Sequence, residues 1–196
     1  MNGARVLSKR LGRYAEIGLA VIDRNDNHRR VVEFIEEHPG STPSDIKNSL
    51  NINSGIVYYH LLILTLKHQA TTYTDSIKNA RYFPNSATYP DDKKMIISML
   101  RRDDVRKVLE SVLDSPGIHI TDLADALGMQ ENSVSCLMRN MSTKGVVTRI
   151  TKNGERPAYR ISDRLEPVVR SCIRIVRQNN KKRFHTDSKQ FVVSQL

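Results

Sequence analysis

Side chains that could act as nucleophiles, acids or metal ligands do not occur at the spacings that such chemistry requires. Cys136 and Cys172 are isolated, and the six histidines show no metal-ligand spacing with them. Four histidines fall in one stretch and could cluster, but solvated or structural roles are commoner than zinc binding or pH sensing: His28, His38, His60 and His68. Neither a glycine-rich phosphate loop nor a recognisable carboxylate pair is present. The sequence therefore predicts a non-enzyme that needs no metal or cofactor.

The chain contains the same passage twice. Residues 27–84, moved forward by 77 positions, fall on residues 104–161 without a gap. Pro39-Gly40 then aligns with Pro116-Gly117, and apolar positions such as Ile46 and Leu61 align with apolar positions. A long period that occurs only twice favours two similar small domains over a solenoid.

Apolar spacing and capping residues predict three helices in each copy. In the first copy a helix runs from His28 to Glu37, and a second has Pro43 in its first turn and ends near Leu50. Asn51, and Gly128 in the second copy, occupy a position that often needs left-handed backbone. The third helix spans about 54–67, and about 131–144 in the second copy.

A β-hairpin follows the third helix in each copy. In the second copy, strand-like residues 146–151 and 157–161 flank Asn153-Gly154, a pair that tolerates the positive φ of a tight turn. In the first copy the strands are Ala70 to Thr74 and Arg81 to Phe83. Three helices and a hairpin form a helix-turn-helix with a wing. The predicted fold is mainly α with small β-hairpin wings (α+β), as two tandem winged helix-turn-helix domains.

These patterns divide the chain into domains and flanks. We expect a basic, amphipathic helical extension at 1–26, domains at 27–84 and 104–161, a linker and connecting helix at 85–103, an amphipathic helix at 162–178 and a basic flexible tail at 179–196. The apolar run from Ile17 to Ile22 is too short to span a membrane. The apolar stripe of the 162–178 helix could form a homodimer interface or close the core of its own domain.

Several motifs resemble those of winged-helix transcriptional regulators. The run from Leu127 to Val134, continued through 144–147, is similar to their recognition region. The run from Val57 to Leu61 resembles a tyrosine-histidine-leucine motif of ArsR-like proteins, and Arg81 to Pro84 resembles the wing end of archaeal two-domain ArsR/MarR-like regulators. The resemblance covers 27–161 and implies DNA binding. His68 departs from it by replacing the usual glycine before the first strand, and Glu131 by placing a negative charge near the tip of the second recognition helix.

The charge of the chain favours the same partner. There are 31 Lys and Arg residues against 21 Asp and Glu residues, which gives a net charge of +10 and a pI of about 9.8. A basic protein attracts a phosphate backbone through counterion release. Together with the resemblance, this charge predicts double-stranded DNA as the partner, although some small proteins are basic for no such reason.

Helix geometry selects the residues that would contact DNA. Opposite the inward-facing Val57 and Leu61, the first recognition helix presents Ser54, Gly55, Tyr58 and Tyr59; the tyrosines could instead pack on neighbouring helices. In the second copy, Asn132 and Ser135 can read bases and Arg139 can hold phosphate. Candidate wing contacts are Lys78, Arg81, Lys152, Asn153 and Arg156.

Three functions fit these observations. The first is a nucleoid-associated transcriptional regulator that binds double-stranded DNA. The two isolated cysteines favour a reducing cytoplasm as its location. The second is a sequence-tolerant nucleoid or chromatin protein. The third is a protein-docking scaffold like the winged-helix partners of condensin. A homodimer could form through the C-terminal helix or the N-terminal extension. Extra apolar residues on the first recognition helix suggest that the other domain or a partner chain covers it: Leu62, Ile63 and Leu66.

Overall fold

The computed structural model describes residues 26–75, 77–151 and 156–178. It divides the chain into two compact units, with the boundary between Thr88 and Tyr89. Within the described residues, every helix is too short or too polar to cross a membrane. The predicted 1–26 extension and 179–196 tail lie outside the described residues, apart from Asp26. The predicted fold class, helices with small antiparallel β-sheets, is confirmed.

The first unit is a three-helix core closed by a hairpin. Its helices are α1 (Asp26–Glu37), α2 (Pro43–Leu50) and α3 (Ser54–Leu66), followed by β1 (Ala70–Thr74) and β2 (Ala80–Pro84). The strands pair antiparallel, with Ala70 opposite Pro84 and Thr74 opposite Ala80. The core is made of apolar side chains from all three helices and the first strand: Val31, Phe34, Ile35, Ile46, Val57, Leu61, Leu64 and Ala70.

The ends of α2 and α3 follow from local backbone chemistry. Thr42 caps α2 in a capping box, since its hydroxyl accepts from the Asp45 N–H while the Asp45 carboxylate accepts from the Thr42 N–H. Asn51 ends α2 in left-handed backbone with φ 52°, as predicted. His68 ends the turn after α3 with φ 54°. Asparagine and histidine are enriched among non-glycine residues in this conformation, so both turns form without glycine.

The second unit repeats this element order and adds to it. It contains α4 (Asp91–Leu100), α5 (Asp103–Asp114), β3 (Ile118–His119), α6 (Ile120–Leu127), α7 (Glu131–Thr143), β4 (Val147–Ile150) and β5 (Ala158–Ile161), then α8 over 166–178. The bounds of α5, α6 and α7 lie 77 residues after those of α1, α2 and α3. The sheet order is β3-β5-β4. The short strand β3 was not predicted from the sequence.

The apolar stripe of α8 is buried in the structure. Val169, Cys172 and Val176 are at most 1% exposed, and burial raises the pKa of the Cys172 thiol to about 12. The Arg177 guanidinium donates to Glu110 on α5 at 3.0 Å, and Arg164 before it pairs with Asp92 on α4 at 2.6 Å. Of the two roles predicted for this stripe, closing the core of its own unit therefore agrees with the structure, and no free apolar stripe remains on α8 for a dimer.

Candidate nucleic-acid interface

The recognition helix of the second unit, α7, has one apolar and one polar face. Val134, Met138 and Met141 are at most 1% exposed and pack inward. On the opposite side Asn132 and Arg139 are exposed and Ser135 is half-buried. The guanidinium of Arg139 forms no ion pair with any described side chain. This face therefore offers an amide, a hydroxyl and an uncompensated cation to an external ligand.

The wing of the second unit adds further cations. Arg156, two residues before β5, is exposed. Lys152 and Asn153, both predicted contacts, lie outside the described residues. Arg149 on β4 is also exposed, although the sequence did not single it out. Alternation along β4 would have placed Arg149 on the face of the buried Val147, two positions earlier, so the sequence pattern gave no signal for its exposure. Arg160 differs, since its guanidinium is paired with Asp163 at 2.6 Å.

The recognition helix of the first unit, α3, carries the predicted residues on its surface but no charge. Ser54 and Gly55 are exposed in its first turn, where the Asn53 side chain accepts from the Gly55 N–H at 2.8 Å. Tyr58 is 59% exposed and Tyr59 is 50% exposed. Neither ring is enclosed in the core, although about half of each side chain is covered. The helix contains no Lys, Arg, Asp or Glu.

The prediction that Arg81 contacts DNA from the first wing disagrees with the structure. Arg81 is 6% exposed, because its position on β2 faces the unit interior. Its Nε donates to Asp75 at 2.8 Å and its Nη1 donates to the Gly40 carbonyl at 3.0 Å. The cation is thus used to hold the wing against the α1–α2 loop. Lys78, in contrast, is exposed at the wing tip.

A groove of about 420 Å³ lies between the start of α2, α3 and the wing of the first unit. The start of α2 already holds the Asp45 carboxylate in its capping box, and Lys78 adds a cation to the lining of the groove. Burial, and secondly the neighbouring Tyr58, raise the pKa of the Tyr82 phenol in this groove. Of the residues that line the groove, sequence analysis had singled out only Tyr58 and Lys78 as candidate contacts. The lining residues are Thr42, Pro43, Ser44, Tyr58, Lys78, Asn79, Ala80 and Tyr82.

The two units differ in net charge. Residues 26–88 contain six Lys or Arg and six Asp or Glu, so this part of the chain is neutral. Residues 89–178 contain sixteen against twelve. The excess of positive charge therefore lies in the second unit and in the two flanks, which is the part of the chain that a polyanion would favour.

No family model matches the chain. It is 23% identical over 142 residues to an uncharacterised helix-turn-helix-type transcriptional regulator of Methanocaldococcus jannaschii, which covers 71% of this chain and 34% of the relative. The chain thus spans about a third of that relative's length.

Solved structures with a partial likeness include two transcription regulators. A MarR family regulator is 21% identical and has a TM-score of 0.36, over 46% of this chain and 62% of the other. A variant of MepR from Staphylococcus aureus, bound to an oligodeoxyribonucleotide, is 20% identical and has a TM-score of 0.31, over 54% and 76%. In its helix-turn-helix motifs, hairpins and similarity in sequence, the chain resembles winged-helix transcription regulators.

Proposed function

We propose that this protein is a transcription regulator that binds double-stranded DNA through its second unit. The observation that supports this most directly is the polar outer face of α7, where Asn132, Ser135 and Arg139 lie opposite a fully apolar inner face. A recognition helix enters the major groove with such a face, while the adjoining wing follows the backbone. The positive charge of the second unit adds the sequence-independent attraction to phosphate.

The residues of α7 and the second wing have distinct roles in this proposal. The Asn132 amide can donate to and accept from an adenine edge, and the Ser135 hydroxyl can pair with either kind of base. Arg139, one turn further along, holds a backbone phosphate. Arg149 and Arg156 extend this contact along the wing, together with the predicted residues Lys152 and Asn153.

The first unit contributes less to DNA contact. Since α3 carries no charge, its candidate contacts are the exposed first turn and the wing tip, namely Ser54, Gly55 and Lys78. These residues can touch phosphate without reading a base. Tyr58 and Tyr59 remain candidates through stacking or hydroxyl contact, but their face of α3 has a composition that suits another partner better.

A charge-matched pair of variants tests the proposal. Arg139→Ala and Arg29→Ala each remove one exposed cation, the first from α7 and the second from α1 of the neutral unit. Fluorescence-anisotropy titrations over a range of salt concentrations would be compared with the wild type. We expect Arg139→Ala to weaken binding and to reduce the salt slope by about 1, because one phosphate contact is lost. Arg29→Ala should leave both quantities unchanged. Equal effects of the two variants would contradict the assignment of α7.

Genome-wide occupancy of the tagged protein would separate a regulator from a chromosome-coating protein. A regulator should occupy a few sites that share a motif and bind them at least about a thousandfold more tightly than random duplex. Broad occupancy with equal affinity for any duplex would favour the nucleoid alternative. Failure to bind any duplex at physiological salt would contradict both and leave the docking alternative.

A further inference from the structure

The exposed apolar surface of the described chain is concentrated on one helix. Six large hydrophobic residues are exposed among the described residues, and all of them lie in the first unit. Five belong to α3, and four of these share one side of it, which we call the α3 outer face: Tyr58 at 59%, Tyr59 at 50%, Leu62 at 58% and Leu66 at 63% exposed. A single exposed leucine needs no explanation, but a contiguous apolar patch marks an interaction site.

The fold does not require this face to be apolar. The equivalent positions of α7, 77 residues further on, carry Ser135, Cys136, Arg139 and Thr143. The inward positions, by contrast, are apolar in both helices, as in the pairs Val57 and Val134 or Leu61 and Met138. The two units therefore share a core but present opposite surfaces: α7 presents polar groups, and α3 presents two tyrosines and two leucines.

The charge of the α3 outer face distinguishes between possible occupants. The helix has no charged residue and residues 26–88 are neutral, whereas the whole chain carries +10. A polyanion gains no cation here. Two copies of the same basic chain repel each other wherever their charged surfaces meet, and this uncharged face lets them approach without that cost. A two-fold interface also brings the same patch from both copies together, so the patch must be complementary to itself. An uncharged apolar patch meets this requirement.

The spacing of the residues fits the pairing of two helices. Tyr59, Leu62 and Leu66 stand at i, i+3 and i+7, the spacing of the seam along which two helices interlock. Tyr58 borders the seam, and the 13-residue helix is long enough for about two layers of contact. The four side chains leave roughly 400 Å² of surface open on each copy. A pair would then bury about 800 Å², which places it among weak and transient interfaces.

We propose that the α3 outer face is the surface through which two copies of this chain associate, in an antiparallel, two-fold pairing of α3 with α3 of the second copy. The apolar stripe of α8, the other candidate for a dimer within the described residues, is already buried. The first unit is then the association module and the second unit is the DNA reader. This division of labour rests on the proposed function, but the association itself does not.

Sedimentation equilibrium of the full-length chain without DNA tests the association separately from DNA binding. We expect the wild type to form dimers with a Kd on the order of 10 µM. Leu62→Glu and Leu66→Glu place like charges opposite each other across the two-fold axis and should weaken association by about tenfold or more. Because both side chains are more than half exposed, the variants should keep the wild-type melting temperature.

The equivalent position in the second unit provides the matched control. Arg139→Glu, 77 residues after Leu62, should weaken DNA binding and leave the dimer intact, whereas Leu62→Glu should leave DNA contact by α7 intact. A wild type that stays monomeric at about a hundred times the expected Kd would overturn the proposal. A dimer whose Kd is unchanged in both glutamate variants would also overturn it. If Leu62→Glu lost affinity for a duplex that holds one copy, the α3 outer face would be assigned to DNA instead.

Disulfide capture tests the geometry of the pair. In a Cys136→Ser background, which removes the exposed native thiol, Leu62→Cys lies near the proposed axis and should cross-link to itself under mild oxidation. Asn48→Cys, exposed on α2 of the same unit, is the control and should not cross-link. Equal capture of both thiols would indicate random collision and would contradict the two-fold pairing of α3.

Discussion

Two histidines lie inside the first unit at positions where the second unit has aliphatic residues. His28 is 4% and His60 is 2% exposed, and their ring centroids are 5.3 Å apart. The residues 77 positions later are Val105 and Leu137. Burial, and secondly the charge of His28, lower the pKa of His60 below 6.5. The sequence showed that both histidines belong to the first copy, but it could not show that these two rings lie next to each other.

We predict that the first unit loses stability in acid through His60. Because its folded-state pKa is lowered, the unfolded chain binds more protons below 6.5, so this contribution is fully present above pH 6.5 and is lost as the pH falls. His60→Leu, which copies the second unit, should reduce the loss in unfolding free energy between about pH 7.5 and about pH 5.5. Urea unfolding at both pH values measures this.

His68→Asn is the control for this effect. His68 is exposed, and asparagine accepts its left-handed backbone, so the acid loss should stay as in the wild type. If His60→Leu lost as much unfolding free energy as the wild type between the two pH values, a group other than His60 would have to be responsible for the loss.

At the scale of the element, the wing of the first unit is held by a buried ion pair. The side chains of Asp75 and Arg81 are 9% and 7% exposed. The Asp75 carboxylate also accepts from the Asn79 and Ile77 N–H groups at 2.9 and 3.0 Å. Burial alone would raise the pKa of Asp75, but these N–H groups and Arg81 lower it below 3.8. The contribution of Asp75 is therefore present above that pH and is lost as the pH falls further.

We predict that Arg81→Met destabilises the wing by about 3 kcal/mol, because it leaves the Asp75 carboxylate buried without its cation. The double variant Asp75→Asn/Arg81→Met should recover part of this loss, since no buried charge remains unpaired. Chemical denaturation of Arg81→Met, Asp75→Asn and the double variant forms the cycle that measures the coupling. A coupling near zero would show that the guanidinium acts only through the Gly40 carbonyl.

At the scale of the whole molecule, the chain combines a neutral unit with an apolar recognition helix and a basic unit with a polar one. The two units thus have the same order of elements but present different surfaces. If copies associate weakly through α3 and bind DNA through α7, a duplex that holds two copies joins the two interactions and gains avidity.

We predict cooperative binding that depends on duplex length. On a duplex of about 40 base pairs the wild type should bind more steeply than on one of about 15 base pairs, because two copies can meet only on the longer one. Leu62→Glu should lower the Hill coefficient on the long duplex to about 1 and leave the affinity for the short duplex unchanged. Equal steepness of the variant and the wild type on the long duplex would count against association on DNA.

The sequence by itself determined the local structure. Pro43, the Thr42 cap and Asn51 place both ends of α2 because capping and left-handed turns depend on a few neighbouring residues. The apolar spacing of Val57, Leu61 and Leu64 predicted the inner face of α3, because helical period alone assigns residues to faces. The fold class followed from the order of these elements.

Only the tertiary structure decided where several side chains act. Arg81 had the sequence position of a wing contact, but its carbonyl partner Gly40 is 41 residues away and its burial depends on the packing of β2. The stripe of α8 suited a dimer and a core equally until its burial was known. Leu62 and Leu66 were expected to be covered by the other domain or by a partner chain, and both are exposed in the described chain. Burial is a property of the assembled surface, so local patterns cannot specify it.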